Sequence, residues 1–227
     1  MQKSTTTSAD ITKSLYRNKV DHYFTGIRHD WIAQLRILPA DRVLEVGCGA
    51  GGTGNELLST GISKYVAGIE FSSGAAAIAK TRLTQVLDGN IEHMSLPWGD
   101  EYFDVALISE VLEHLVEPKA TLIKVHACLK RGGVVFASSP NVSHHHVIWS
   151  LLRGRWDLRD SGVMDRTHLR WFTPASYKAL FEEAGFRVEQ LGPVCRFSRK
   201  TALLNRLTGN RLSHLFMSQV QVRAVKL

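Results

Sequence analysis

Val43-Leu44-Glu45-Val46-Gly47-Cys48-Gly49-Ala50-Gly51, followed by Tyr65-Val66-Ala67-Gly68-Ile69-Glu70, reads as a strand, a glycine turn and a second strand. An apolar run that ends in closely spaced glycines lets the backbone approach a ligand where any Cβ would clash. Glu70 stands 19 positions after Gly51 and closes the second apolar run. An acid there can accept hydrogen bonds from both hydroxyls of a ribose. The corner is therefore a candidate nucleoside site. Gly47, Gly49 and Gly52 also satisfy the G-x-G-x-x-G spacing of dinucleotide binders, so the glycines alone leave the cofactor open.

Outward from this corner the chain alternates. Apolar residues at Leu15, Val20, Tyr23, Phe24, Ile27, Trp31, Ile32 and Leu35 lie close to helical spacing and predict an N-terminal helical cap over about 1–38, ended by Pro39. Positions 43–46 form strand one, 55–58 belong to the next helix, and 65–69 form strand two. A helix over 72–87, a short strand at 90–92 and a strand at 105–109 follow. Then come a helix over 119–129 and a strand at 134–138 after the Arg131-Gly132-Gly133 turn. Thr173-Pro174-Ala175-Ser176 is a helix start with Thr as cap, and Gly185 is its stop. The segments 186–191 and 218–225 alternate as two last strands. Such alternation implies an α/β fold with a mainly parallel sheet covered on both faces.

A chain of 227 residues is long enough for one such domain and too short for separate nucleotide and substrate domains. The single domain is expected to span 1–227, with a substrate-side insertion over about 141–172. No run approaches the ~18 apolar residues of a membrane span, and the polar start lacks the apolar core of a secretory signal. Cys48, Cys128 and Cys195 are odd in number and lack C-x-x-C spacing, which argues against a disulfide framework or a zinc site. A reduced, cytoplasmic location is expected. The net charge of +7 is uneven: residues 186–227 carry eight basic side chains and one acidic, and the rest is balanced. That asymmetry suits phosphate-bearing partners or an anionic membrane surface.

Glu45, two residues before the first glycine, and the block from Leu96 to Leu115 remove the ambiguity of the glycines. With Leu96-Pro97-Trp98-Gly99-Asp100-Glu101-Tyr102-Phe103-Asp104 leading into Val105-Ala106-Leu107-Ile108-Ser109-Glu110-Val111-Leu112-Glu113-His114-Leu115, the chain resembles the class I methyltransferases that use S-adenosyl-L-methionine. The resemblance runs from about Asp41 to Phe186 and implies a Rossmann-like, mainly parallel seven-stranded sheet with an antiparallel edge strand and helices on both faces. It places the backbone of Gly47, Gly49 and Gly51 along the methionine part of the cofactor, with Glu45 orienting it and Glu70 on the ribose. Phe71 and Ile91 would flank adenine. Asn90 stands where many relatives have Asp, and Ser109 would lie beside the methyl donor.

Glu110, Glu113 and His114 look like a segment of ubiquinone-biosynthesis O-methyltransferases in which two Glu and a His hold a divalent cation. The Leu-Glu-His piece also occurs in relatives with no metal role. The reading adopted here carries no metal and takes His114 as a pocket residue or base. Three adjacent histidines, His144, His145 and His146, point in different directions on a regular element and make an improbable metal centre, although His144 can face the acceptor. The aromatic and arginine-rich stretches 149–156 and 165–173 suit a substrate lid: arginine forks bind phosphate or carboxylate, and tryptophan stacks on sugars or planar rings. Their alternative is structural, with Trp171 and Phe172 buried and Asp165 paired to Arg170. A neutral histidine, with a reference pKa near ~6.5, can take the acceptor proton as the methyl arrives, which nominates His114 and His168.

These readings converge on a methyltransferase for a small-molecule or glycan acceptor, anionic in one version, with oxygen favoured over nitrogen. The alternatives are an RNA methyltransferase, prompted by the pI near 9.5 but lacking an RNA-binding module, and a non-catalytic module that uses the basic terminus at an anionic surface. No DNA partner is expected. Oligomeric state is not legible.

Overall fold

The computed structural model describes residues 26–38 and 40–227. The expected helical positions Leu15, Val20, Tyr23 and Phe24 lie outside the described residues, as does Pro39. In chain order the elements are α1 (His29–Leu35), β1 (Arg42–Val46), α2 (Gly52–Ser59), β2 (Tyr65–Glu70), α3 (Ser73–Ala79), β3 (Gln85–Asp88), β4 (Phe103–Ser109), α4 (Pro118–Cys128), β5 (Leu129–Pro140), α5 (His145–Leu152), α6 (Pro174–Glu183), β6 (Phe186–Pro193), α7 (Arg199–Leu207) and β7 (Gln219–Lys226).

The seven strands make one sheet in the order β3-β2-β1-β4-β5-β7-β6. β1 to β5 pair in parallel, and β7 enters antiparallel between β5 and β6. Because both faces are covered, the inner strands read as nearly unbroken apolar runs instead of clean alternations. Val43, Val66, Val105 and Leu107 point to one face, where Trp31, Ile32 and Leu35 of α1, Leu57 of α2 and Ala79 of α3 cover them. Leu44, Val46, Ile69, Ala106 and Ile108 point to the other, under Leu122 and Val125 of α4 and Tyr177 and Phe181 of α6. The strand order reverses beside β1, so the loops after β1 and β4 open into the crevice where such sheets bind ligands.

Three boundaries differ from those the sequence suggests. The helix expected over 72–87 ends at Ala79, and the strand expected at 90–92 lies earlier, at Gln85–Asp88. Val86 and Leu87 pair with Gly68 and Ile69 because the open edge of β2 needs hydrogen-bonding partners, a demand that helical periodicity does not register. β5 starts at Leu129, opposite Phe103, and passes through an irregularity before Val134 meets Val105, so the expected glycine turn sits inside the strand. The start of α6 matches its expected form: the Thr173 side chain accepts from Ser176 N, Ser176 closes the reciprocal bond, and Pro174 occupies the first turn. Gly185, at φ 94°, ends it.

Candidate active site

The glycine corner is built as its spacing requires. Gly47, Gly49 and Gly51 all have positive φ, of 71°, 54° and 77°. Gly47 is the most constrained, because a Cβ there would lie 2.4 Å from Val111 Cγ2, on the loop after β4. The two loops therefore touch through a position that only glycine fills without strain.

Glu70 anchors the corner from β2. Its Oε2 accepts from Gly49 N and its Oε1 from Ser72 N, each at 2.8 Å. Burial raises its pKa, against hydrogen bonds from Ser72, Gly49 and Phe71 that lower it. A carboxylate offers about four lone-pair sites, so one held by three N–H groups keeps capacity to accept from a ribose hydroxyl. Ser72 caps α3 without a side-chain bond and gives its backbone N–H to Glu70.

Glu45 occupies the face of β1 under α2, where its Oε2 accepts from Gly54 N at 3.2 Å. Burial pushes its carboxyl up to about 8, opposed by hydrogen bonds from Gly54 and Thr53, with the negative Glu70 adding to the rise. Between the ordinary carboxyl range near 4.5 and about 8 the folded chain holds a proton that the unfolded chain has released. The resulting stability is complete below about 4.5 and is lost as the pH climbs to about 8. We expect Glu45→Gln to flatten this decline and to exceed the parent at pH 8.5 by a few kcal/mol, read from urea unfolding at pH 5 and 8.5. Parallel pH profiles for the two proteins would rule the effect out.

Asn90 and Ile91 lie just after β3. The Asn90 amide oxygen accepts from Glu92 N at 2.9 Å and so closes its own turn, while Ile91 packs into the core. Phe71 is half-buried at the exit of β2. Ser109, the last residue of β4, is bonded to a residue that the sequence did not nominate. The Arg28 guanidinium donates from Nη1 to Ser109 Oγ at 2.7 Å and to Ser138 Oγ at 2.8 Å. Arg28 N also donates to Thr53 Oγ1, its side chain pairs with Asp30, and its guanidinium stacks 3.5 Å over Trp31. Arg28 thus straps the segment before α1 across the ends of β4 and β5. No motif marks it: a single arginine beside an amphipathic helix has no sequence signature, and only the sheet brings it to Ser109.

Beyond β4 the chain makes a short 3-10 turn, Leu112–His114, after Glu110 at φ 52°, an uncommon conformation for a non-glycine residue. Gln219 Nε2 donates to Glu110 Oε2, and burial raises the Glu110 pKa. Glu113 is 1% exposed, and neither of its carboxylate oxygens has a hydrogen-bond partner. Burial drives its pKa well above the usual carboxylate value, and the charge of Glu110 adds to the rise. The buried Tyr177 hydroxyl of α6 is also raised, by burial and then by Glu113 and Glu110.

The insertion folds back onto this turn. Leu169 N and Arg170 N both donate to Glu113 O, which brings the His168 ring centroid to 4.8 Å from that of His114. His114 Nδ1 bonds Thr167 O at 3.1 Å, and His168 Nδ1 bonds Val163 O at 3.0 Å. A carbonyl can only accept, so both rings donate through Nδ1. Ligand atoms of Glu113, His114 and His168 lie within 4.8 Å of one another. Glu110, expected in any such set, is engaged with Gln219 instead.

His144 belongs to a different group. It sits at the start of α5 with its ring 4.2 Å from His145 and 5.3 Å from His146, and burial, then the coulombic effect of these two rings, pushes its pKa down to about 4. In the stretches 149–156 and 165–173, Phe172 is buried as the structural alternative requires, whereas Trp171 is only half-buried and packs edge-on against the exposed Trp156. Arg170 Nη2 donates to Val116 O, and Asp165 Oδ1 accepts from Thr167 N and Oγ1. Residues 151–162 are exposed throughout.

The sheet order, the glycine corner and the acid after β2 define a Rossmann-like methyltransferase architecture. The chain belongs to the methyltransferase-domain family, whose pattern it matches over residues 17–191, and S-adenosylmethionine is its methyl donor. It is similar to the ubiquinone biosynthesis O-methyltransferase of Aromatoleum aromaticum, at 26% identity over 75% of this chain and 74% of that one. The protein of the same description from Pseudomonas aeruginosa is 28% identical over 75% of each. In fold it resembles the crystal structure of a SAM-dependent methyltransferase from Archaeoglobus fulgidus, with a TM-score of 0.63, 20% identity and coverage of 96% and 95% of the two chains. Among the described residues no helix is long and apolar enough to cross a membrane.

Proposed function

We propose that this chain methylates an oxygen of a small hydroxylated molecule, free or glycan-linked, in the cytoplasm. The observation that carries the reading is the histidine pair beyond β4, whose ring centroids lie 4.8 Å apart and whose Nδ1 atoms each bond a backbone carbonyl. Two relatives described as ubiquinone biosynthesis O-methyltransferases support oxygen over nitrogen. When bound, S-adenosylmethionine supplies an electrophilic methyl on a sulfonium that is displaced in line. Alignment and exclusion of water then supply most of the rate.

The residues divide the work. Gly47, Gly49 and Gly51 offer backbone to the amino-acid end of the donor, beside Glu45 and the Arg28 strap, and Glu70 holds the ribose. Phe71 and Ile91 border the adenine, with Asn90 contributing the second lone pair of its amide oxygen. Ser109 stands at the transfer point, and His168, flanked by His114, takes the acceptor proton as the new O–C bond forms. His144 fits the acceptor side less well, since its ring contacts lie at the head of α5. An acceptor with an anionic group would meet the arginines of 153–170.

Calorimetric titration with S-adenosylmethionine is expected to show one site, with NADH giving no heat. Glu70→Ala should weaken binding by about tenfold or more, since it strips the ribose acceptor and leaves two N–H groups without their partner. Equal affinity in the variant would remove Glu70 from the site. A second reading comes from Glu113, whose buried and unpartnered oxygens stand with two histidine nitrogens and fit a divalent cation that would orient an acceptor oxygen. Stabilisation of the protein by Mg²⁺ or Zn²⁺ that disappears in Glu113→Gln would favour it.

A further inference from the structure

Two helices of this chain carry their apolar side chains on the outside. In α5 the one buried residue is Val147, whereas Trp149 is 55% and Leu152 72% exposed, and the exposed Trp156 and Leu158 extend the patch. In α7 the polarity is inverted: Asn205 is buried, while Leu203 and Leu207 are 62% and 76% exposed. A helix that packs on a protein core does the reverse. Something other than this domain is suited to cover these side chains.

The charge around α7 has one sign. From Pro193 to Ser218 the chain carries Arg196, Arg199, Lys200, Arg206 and Arg211 and no Asp or Glu. On the other arm the Arg153 guanidinium lies 4.5 Å over the Trp149 ring, while Arg155 pairs with Asp157 and Arg166 with Asp160, so this arm contributes mainly apolar surface. The two arms are joined. His145 Nδ1 bonds Leu215 O at 2.9 Å, and Asn141 Nδ2 donates to His214 O and Met217 O, each at 2.7 Å. Both spring from one end of the sheet, where Pro140 pairs with Gln219 and Pro193 with Val220. Ser109 and Ser138 meet Arg28 at that same end.

We propose that α5 and α7, with the basic loop that follows α7, form a peripheral docking surface for an anionic lipid bilayer. Leucine and tryptophan side chains enter the headgroup boundary, and the arginines meet the phosphates above them. The charge pattern selects this occupant. A second copy would bring the same cations face to face, and a nucleic acid would leave the leucines in water. The docked face borders the mouth of the site, so an acceptor with an apolar tail can pass from bilayer to site without crossing water. The surface stands independently of the methyl-transfer reading.

The test is co-sedimentation of the full chain with vesicles of phosphatidylglycerol and phosphatidylcholine, against phosphatidylcholine alone, at low and high salt. Binding to the anionic vesicles should be stronger by about tenfold or more and should fall as salt rises. Leu203→Glu/Leu204→Glu/Leu207→Glu, and separately Trp149→Glu/Leu152→Glu, should each lower it by about tenfold or more while far-UV circular dichroism and the thermal midpoint stay unchanged. The proposal is overturned if the anionic vesicles are not preferred or if folded variants bind them equally. A concentration-dependent dimer abolished by the same substitutions would also overturn it, as would RNA binding that outcompetes the vesicles and survives the leucine changes.

Discussion

Gly47→Ala is expected to lower the affinity for S-adenosylmethionine by about a hundredfold and to reduce the stability of the chain itself. The left-handed backbone at φ 71° costs an L-residue about 1–2 kcal/mol. The new methyl would also lie 2.4 Å from Val111 Cγ2, and crowding of that kind costs about 1–3 kcal/mol. Val111 is β-branched and cannot swing away cheaply, so the strain moves the loop. The thermal midpoint should fall by roughly 5–15 °C. A double-mutant cycle with Val111→Ala separates the causes: it should recover the steric part and leave the φ part. Calorimetry and thermal unfolding on the four proteins decide the matter, and full cofactor affinity in Gly47→Ala would mean that this loop does not carry the donor.

His168→Ala is expected to cut turnover by about 100-fold to 10,000-fold, the range that a positioned general base supplies, while cofactor affinity stays at the parent value. The loss should fall on kcat more than on KM. Added imidazole should restore part of the rate, which a purely structural role for the ring would not allow. His114→Ala should show a smaller loss of the same kind, because its ring stands 4.8 Å from that of His168. Unchanged turnover in His168→Ala would strike it from the mechanism and leave alignment of donor and acceptor as the main source of rate.

The glycine corner is local in sequence, which is why it was legible. Gly47 to Gly51 and Glu70 lie at the ends of adjacent strands, so their spacing already encodes their meeting, and the Gly49–Glu70 bond follows from it. The acceptor half is assembled from distant segments. Glu113 and His114 come from the turn after β4, His168 from the insertion, Tyr177 from α6 and Gln219 from β7. No periodicity relates them. Glu110 looks like the third member of a ligand set in the sequence, but its partner proves to be Gln219, more than a hundred residues away.

Similar logic explains the boundaries. The Ala-rich stretch after Ser72 is a sound helix former, yet it yields at Ala79 because Val86 and Leu87 are needed on the edge of β2. The amphipathic pattern at Leu203, Leu204 and Leu207 suggests packing on the sheet, but Asn205 is the side chain that turns inward. Periodicity gives a helix its two faces and does not say which one the protein keeps.

By itself, then, the sequence determined the parallel sheet and its glycine corner, since those depend on backbone conformation and on neighbours along adjacent strands, and its resemblance to a family named the donor. Tertiary structure alone decided that Arg28 reaches Ser109, that His168 joins His114 beside a buried Glu113, and that two apolar helix faces look outward. These are long-range encounters set by how the sheet stacks its connections, and a side chain carries no local mark of the partner that folding will bring to it.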